Sequence, residues 1–284
     1  MDENKLNLVY FGFDEFNAPK NMAIDEVLKK DAEITGNTYI RFYDFKKPSI
    51  ILSYSDSREC LRKEAFNEPS IEITRRSSGG KPIYIDNNIL AYSIIGSLNK
   101  SNKEFESTAK VHKFFGSHII NAINNITKFD IKRINLGDVY SIRIDGKPIA
   151  GHAQFPTLSR SFFYHGVLAI GKWDAENINK FLNITKQDYE NLKLAPCIKD
   201  LFKDNANKIN INEISAIKIK LADLILKFIS NNNYKNIEKN KKASIIKEAE
   251  LLVKIKYSKP TWLENSSSGI KLKNDSRFCL LYDG

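Results

Sequence analysis

Apolar positions along this chain switch back and forth between a spacing of two residues and one near 3.6, so strands and helices should interleave. Leu6 to Phe13 alternates as a short strand. Asn21 to Lys30 places Met22, Ile24, Val27 and Leu28 on one helical face, with Asp25 and Glu26 in the early turns where carboxylates suit the helix dipole. Tyr39 to Phe45 and Ser49 to Tyr54 return to the strand pattern on either side of Pro48. Arg58 to Phe66 reads as a helix and Ile71 to Arg75 as a strand. Ile83 to Ile85 and Ile89 to Ile95 are strands joined by Asp86-Asn87-Asn88, residues that favour a turn.

Ser107 to Ile123 predicts a long helix. Val139 to Ile144, Lys147 to Phe155 and Phe162 to Ile170 form a meander, with Asp145-Gly146 as its hairpin turn. Helices follow at Ala175 to Leu182, Lys186 to Leu194, Ile211 to Phe228 and Lys242 to Lys254, then a strand pair within Ile270 to Tyr282. A sheet-rich first part and a helical later part define an α+β chain. No internal repeat is visible.

Composition adds limits. At 284 residues the chain can bury a sizeable core. Its formal net charge of +10 suits a nucleotide, an anionic surface or an acidic protein. The charge is spread out, and the run Lys235 to Lys242 reads as a solvated helix face. No basic stripe interleaved with aromatics points to nucleic acid. Cys60, Cys197 and Cys279 are too far apart for a metal knuckle, and three unpaired cysteines fit a reducing compartment. No apolar run reaches the roughly 18 residues that a membrane span needs. Met1 to Val9 lacks the apolar core of a signal peptide. A cytoplasmic protein is expected.

Candidate chemistry gathers in two segments. Arg75-Arg76-Ser77-Ser78-Gly79-Gly80-Lys81-Pro82 puts two guanidinium groups before a Ser/Gly loop. Glycines let backbone N–H groups approach an anion, and arginine gives two-pronged bonds to phosphate or carboxylate. A tight hairpin with surface arginines would produce the same letters. The second segment holds Asp138, Asp145-Gly146-Lys147 and Gly151-His152-Ala153-Gln154, followed by His165-Gly166. A lysine at the head of a strand can stabilise charge developing on an acyl or phosphoryl group, or simply sit exposed at the turn.

The order and spacing of these segments carry a resemblance. Asn21-Met22-Ala23-Ile24-Asp25-Glu26, Arg41-Phe42-Tyr43, Arg75 to Gly80, Asp138-Val139, Asp145 to Gln154 and His165-Gly166-Val167-Leu168 follow in turn. Together they resemble the lipoate–protein ligase branch of the superfamily that also holds biotin ligases and octanoyltransferases. The resemblance runs over residues 6 to 265. It implies a mixed sheet flanked by helices, with the ligand in a tunnel against the sheet. It implies ATP and Mg²⁺, with lipoate or octanoate activated as the acyl-AMP. The acyl group then passes to a lysine of a lipoyl domain in a 2-oxoacid dehydrogenase complex, or of the glycine-cleavage H protein. Lys147 matches the catalytic lysine. Arg75, Gly79 and Gly80 match the loop around the acyl-adenylate, and Ser78 and Lys81 lie in the same loop as candidate binding residues. Asp86 and Asp138 match acidic positions, Asp138 near nucleotide and metal. Gly151, His152, Ala153 and His165 fall in motifs that line the site.

Departures keep other readings open. Lys81 stands where the family usually has a third glycine, and Ile85 where it commonly has histidine. Tyr257-Ser258-Lys259-Pro260-Thr261-Trp262 resembles the signature that closes the catalytic domain. A catalytic domain over 1–265 and a tail over 266–284 are therefore expected, without an accessory domain. A separate accessory subunit would then be a possible partner for activation. An octanoyltransferase would need an activated thiolate, for which Cys197 is the candidate. Arg75 to Gly80 is not the Gly-Arg-Gly-Arg loop of biotin ligases. A non-catalytic paralogue is the remaining alternative.

Overall fold

The structure is a computed structural model that describes residues 6–97, 105, 107–137, 141–154, 161–202 and 213–264. Its strands, in chain order, are β1 (Leu8–Phe16), β2 (Thr38–Phe45), β3 (Ser49–Leu52), β4 (Glu72–Arg75), β5 (Ile83–Ile85), β6 (Ile89–Ser97), β7 (Ile134–Gly137), β8 (Ser141–Ile144), β9 (Lys147–Gln154), β10 (Ser161–Ala169) and β11 (Lys235–Asn236). Eight of them form one mixed sheet in the order β11-β1-β2-β6-β10-β9-β8-β7, and β4-β3-β5 form a second, smaller sheet. The pairings β1–β2, β1–β11 and β3–β4 are parallel, and the meander from β6 through β10 to β7 is antiparallel.

The principal helices are α1 (Ala18–Thr35), α2 (Lys63–Phe66), α3 (Thr108–Thr127), α4 (Ala175–Phe181), α5 (Lys186–Lys193), α6 (Ile214–Ser230), α7 (Lys239–Leu252) and α8 (Pro260–Glu264). Local chemistry sets their ends. Asn17 Oδ1 accepts from Lys20 N at 3.0 Å and Pro19 occupies the first turn of α1, while Gly36 closes it in the left-handed region at φ 72°. Ser107 caps α3 through Lys110 N.

Because strand side chains alternate, the main sheet feeds two cores. Tyr39, Tyr43, Ala91, Ile95 and Val167 face α1, α7 and the small sheet. Ile40, Phe42, Tyr92, Ile94 and Tyr164 face α3 and α6. The mixed sheet flanked by helices is therefore the arrangement present.

Several local expectations need correction. Asp25 does not serve the helix dipole at the surface. It turns inward, pairs with Arg41 at 2.9 Å, and accepts bonds from Ser93 Oγ and Tyr43 Oη. Both partners are buried, and Arg41 also donates to the Asn21 carbonyl and side chain. Burial pushes the Asp25 carboxyl up, against the pull of Arg41. The run Lys235 to Lys242 is not one helix face. Lys235 and Asn236 form β11 beside β1, and the helix begins at Lys239. Lys241 and Lys242 are tied to Asp31 and Asp14. Arg58 to Phe66 splits into a 3₁₀ turn and short α2. The pattern gave no warning of β7, whose four residues are too few to show a period. The strand pair expected within 270–282 lies outside the described residues.

Candidate functional site

The cavity lies between the two sheets. Met22, Tyr43, Ile51, Ile83, Ile85 and Val167 give it apolar walls, and Arg76, Gly80, Lys81, His165, Gly151 and Ala153 line it as well. The polar end is organised by Arg76, the residue that follows the end of β4. Its Nε donates to Ser78 Oγ and Gly79 O, each at 3.1 Å. Its Nη2 donates to Gly79 O at 2.6 Å and Lys81 O at 2.9 Å, and Nη1 to Ile51 O at 3.1 Å. One guanidinium thus gathers the whole Ser/Gly loop and ties it to β3. Burial brings the Arg76 pKa down to about 10, which still leaves a cation at neutral pH.

Ser78 Oγ and His165 Nε2 stand 2.6 Å apart. Ser78 Oγ accepts from Arg76 Nε and shares a second hydrogen bond with His165 Nε2, whose direction follows the imidazole tautomer. His165 is held neutral, first by burial and then by the nearby Arg76 charge, which push its pKa well below the ordinary value. Gly80 has φ +99°, and a Cβ there would come within 2.7 Å of Arg76 Nη2 and 3.3 Å of Ala153 Cβ. Only glycine lets the loop pass so close to β9.

The expected residues divide. Ser78, Gly79, Gly80, Lys81, Gly151, Ala153 and His165 come together at this end of the cavity. His152 borders the cavity through its strand position, but its ring faces the opposite side of the sheet. There it stacks on Tyr164 at 4.9 Å and lies 5.1 Å from His112. Gly166 makes room for it, since a Cβ at that position would meet His152 at 2.5 Å.

Arg75 does not line the cavity. Its guanidinium points away and donates to the carbonyls of Ser53, Asp56, Trp262 and Leu263. Successive strand residues face opposite sides, so only one arginine of the pair can reach the site. That one is Arg76, which sequence reasoning did not single out; the doublet itself was the signal. Asp86 is also elsewhere, accepting from Asn88 N at 2.8 Å to hold the β5–β6 turn. Lys147 is exposed at the head of β9, with Nζ 3.4 Å from Leu194 O. Asp138 lies outside the described residues.

Neither described thiol is activated. Burial raises Cys60 to about 12 and raises Cys197 as well. Cys279 lies outside the described residues. Among the described residues no cluster of three or more His, Cys, Asp or Glu fits a protein-held metal, and no helix is long and apolar enough to cross a membrane.

A mixed sheet with a cavity between it and a glycine loop defines the class of ligand-binding scaffold, and comparison with known proteins defines the family. The lipoyl protein ligase A/B catalytic domain matches residues 17–217. The chain belongs to this family. It is similar to the lipoate-protein ligase LplJ of Bacillus subtilis, 29% identical over 165 residues, covering 57% of this chain and 45% of that protein. The chain thus matches less than half the length of this curated relative. The fold is similar to that of a bi-partite lipoate protein ligase from Thermoplasma acidophilum, studied with its E2 lipoyl domain. The TM-score there is 0.70 at 17% identity, over 92% of this chain and 97% of that one. A lipoate-protein ligase A bound with ATP has a TM-score of 0.69 at 17% identity, over 92% of this chain and 99% of the other.

Proposed function

We propose that the chain is a lipoate–protein ligase acting on lipoate or octanoate. The observation that carries this reading is the cavity itself. Its apolar walls suit an acyl tail, and its polar end sets Arg76, Lys81 and neutral His165 where a carboxylate would lie, with Ser78 bonded to Arg76 and His165 behind them. A carboxylate oxygen attacks the α-phosphorus of ATP and pyrophosphate leaves. The acceptor lysine Nζ of a lipoyl domain or H protein then attacks the acyl carbon. AMP departs with the bridging oxygen, and the amine loses its proton to solvent or a base. The nucleophile belongs to the acceptor, so this chain's work is to orient the acyl group and offset negative charge. Arg76 supplies that from the wall. Lys147, on a flexible four-carbon stem, supplies it on turning inward from Leu194.

No described acidic cluster fits a caged Mg²⁺, so no step is assigned to a metal held by the protein. A magnesium ion would arrive on the nucleotide phosphates. The raised thiols weigh against octanoyl transfer through Cys197.

The test is a mass-shift assay with apo lipoyl domain as acceptor. Parallel donors are lipoate with ATP and Mg²⁺, preformed lipoyl-AMP, and octanoyl–acyl carrier protein. Gain from free lipoate and ATP supports a self-sufficient ligase. Gain from lipoyl-AMP alone marks transfer without activation and a separate accessory subunit, an arrangement parallel to the bi-partite archaeal relative. Gain from the carrier protein alone, or from no donor, overturns the ligase reading.

A further inference from the structure

Arg75 and Trp262 hold each other although 187 residues separate them. The Trp262 indole Nε1 donates to the Arg75 carbonyl at 3.0 Å, and Arg75 Nε donates back to the Trp262 carbonyl at 3.1 Å. Arg75 Nη2 adds a bond to Leu263 O at 2.8 Å, and Nη1 bonds to Ser53 O and Asp56 O. Arg75 is fully buried by these contacts.

The indole is itself anchored. Lys256 Nζ lies 4.0 Å over its ring and the Tyr257 ring is 5.8 Å away. Both Lys256 and Tyr257 bond Glu26 on α1. Tyr54 packs on the other flank of the indole at 6.2 Å, and Tyr54 N donates to Ser78 O. Trp262 does not line the cavity, yet its partner carbonyl immediately precedes Arg76, and Arg76 gathers Ser78, Gly79 and Lys81.

We infer that Trp262 is a positioning residue for the polar end of the cavity. Through its reciprocal bonds with Arg75 it fixes the end of β4, from which Arg76 and the glycine loop hang. The inference rests on reading that end as the place where ligand charge is bound. It makes the last described helix part of the site's frame rather than a terminal ornament on the core.

The test is Trp262→Phe in the full chain, which keeps the ring and removes the N–H donor. Hydrogen exchange reports on peptides spanning 52–56 and 76–82, which include the Tyr54 and Arg76 amides that tie loop to β3. Losing one part-buried bond should speed exchange there about fivefold to tenfold, with α1 and β2 unchanged. In the transfer assay the variant should raise KM for the acyl donor by about the same factor at nearly constant kcat. Unchanged exchange at both peptides would overturn the inference. A variant that opens everywhere at once would overturn it too, because the bond would then hold the core and not the loop. Should the ligase reading fail, neither chain would transfer an acyl group while the exchange difference at the loop would persist, so the two failures are told apart.

Discussion

Ser78 Oγ meets His165 Nε2 at 2.6 Å across the gap between the small sheet's loop and β10 of the main sheet. The bond joins the two walls of the cavity where the acyl carboxylate would sit. Ser78→Ala leaves a buried imidazole nitrogen without its hydroxyl partner. The expected result is a fall in kcat/KM for acyl transfer of about tenfold to a hundredfold, the scale of an orphaned buried polar group. Steady-state kinetics with a fixed acceptor concentration checks this, and a change of less than twofold would remove Ser78 from the site.

Lys147 separates activity from stability. It is exposed, with Nζ 3.4 Å from Leu194 O. Lys147→Ala should shift thermal unfolding by no more than about 0.5 kcal/mol, as for other surface substitutions. Transfer should fall by on the order of a hundredfold or more if the ammonium swings onto the mixed anhydride. Calorimetry and the mass-shift assay on one preparation read both quantities. Normal turnover would assign the charge stabilisation to Arg76 alone.

The thiols give a chemical check. Burial holds Cys60 near 12 and raises Cys197, so neither is a thiolate at neutral pH. Iodoacetamide at pH 7.5 should leave both unmodified in the folded chain, as peptide mapping would show. Cys197→Ser should retain transfer within about threefold, since a thiol kept protonated by burial takes no part in catalysis. An acylated Cys197 peptide after incubation with octanoyl–acyl carrier protein would reverse this reading.

Acid should weaken the fold through its buried histidines. Burial lowers His112 from 6.5 to about 4, and burial with the nearby Arg76 charge also lowers His165 well below its ordinary value. These groups stay neutral in the folded chain but take up protons when unfolded. Their stabilisation is therefore complete above pH 6.5 and is lost as pH falls from 6.5 toward 4. His112 alone accounts for about 3 kcal/mol over that window. Urea unfolding at pH 7 and pH 4 would show the loss in the parent chain. His112→Asn should reduce the pH 7-to-4 difference by a comparable amount. An equal difference in both chains would contradict the assignment.

Much of this was legible because periodicity reports burial. The helix at Asn21 to Lys30 and the strands from Tyr39 to Ile95 show dense apolar runs, and the structure buries them, the central strands on both faces. The site was legible as a neighbourhood: a glycine loop, the Gly-His-Ala strand and His165 do converge. Letters do not state direction, however. Arg75 and Arg76 are identical in type, and only the strand's alternation sends one inward. His152 looked like a site residue, yet its ring lies across the sheet against Tyr164. Asp25 looked like a dipole partner because nothing nearby in the chain discloses Arg41, 16 residues on, as its buried counter-ion. Long-range pairing of this kind has no local sequence signal.

The two cores flanking the main sheet have unequal relations to the cavity. Its apolar walls, Met22, Tyr43, Ile51, Ile83, Ile85 and Val167, all belong to or pack against the core shared with α1 and the small sheet. The aromatic layer of Phe105, Phe115 and Phe162 under α3 lies on the far face. Substitutions there can alter the cohesion of the whole without reshaping the binding chamber, whereas the same exchange of a methyl group on the near face changes the chamber directly. One sheet thereby divides a layer that bears on cohesion alone from a layer whose repacking alters cohesion and chamber together.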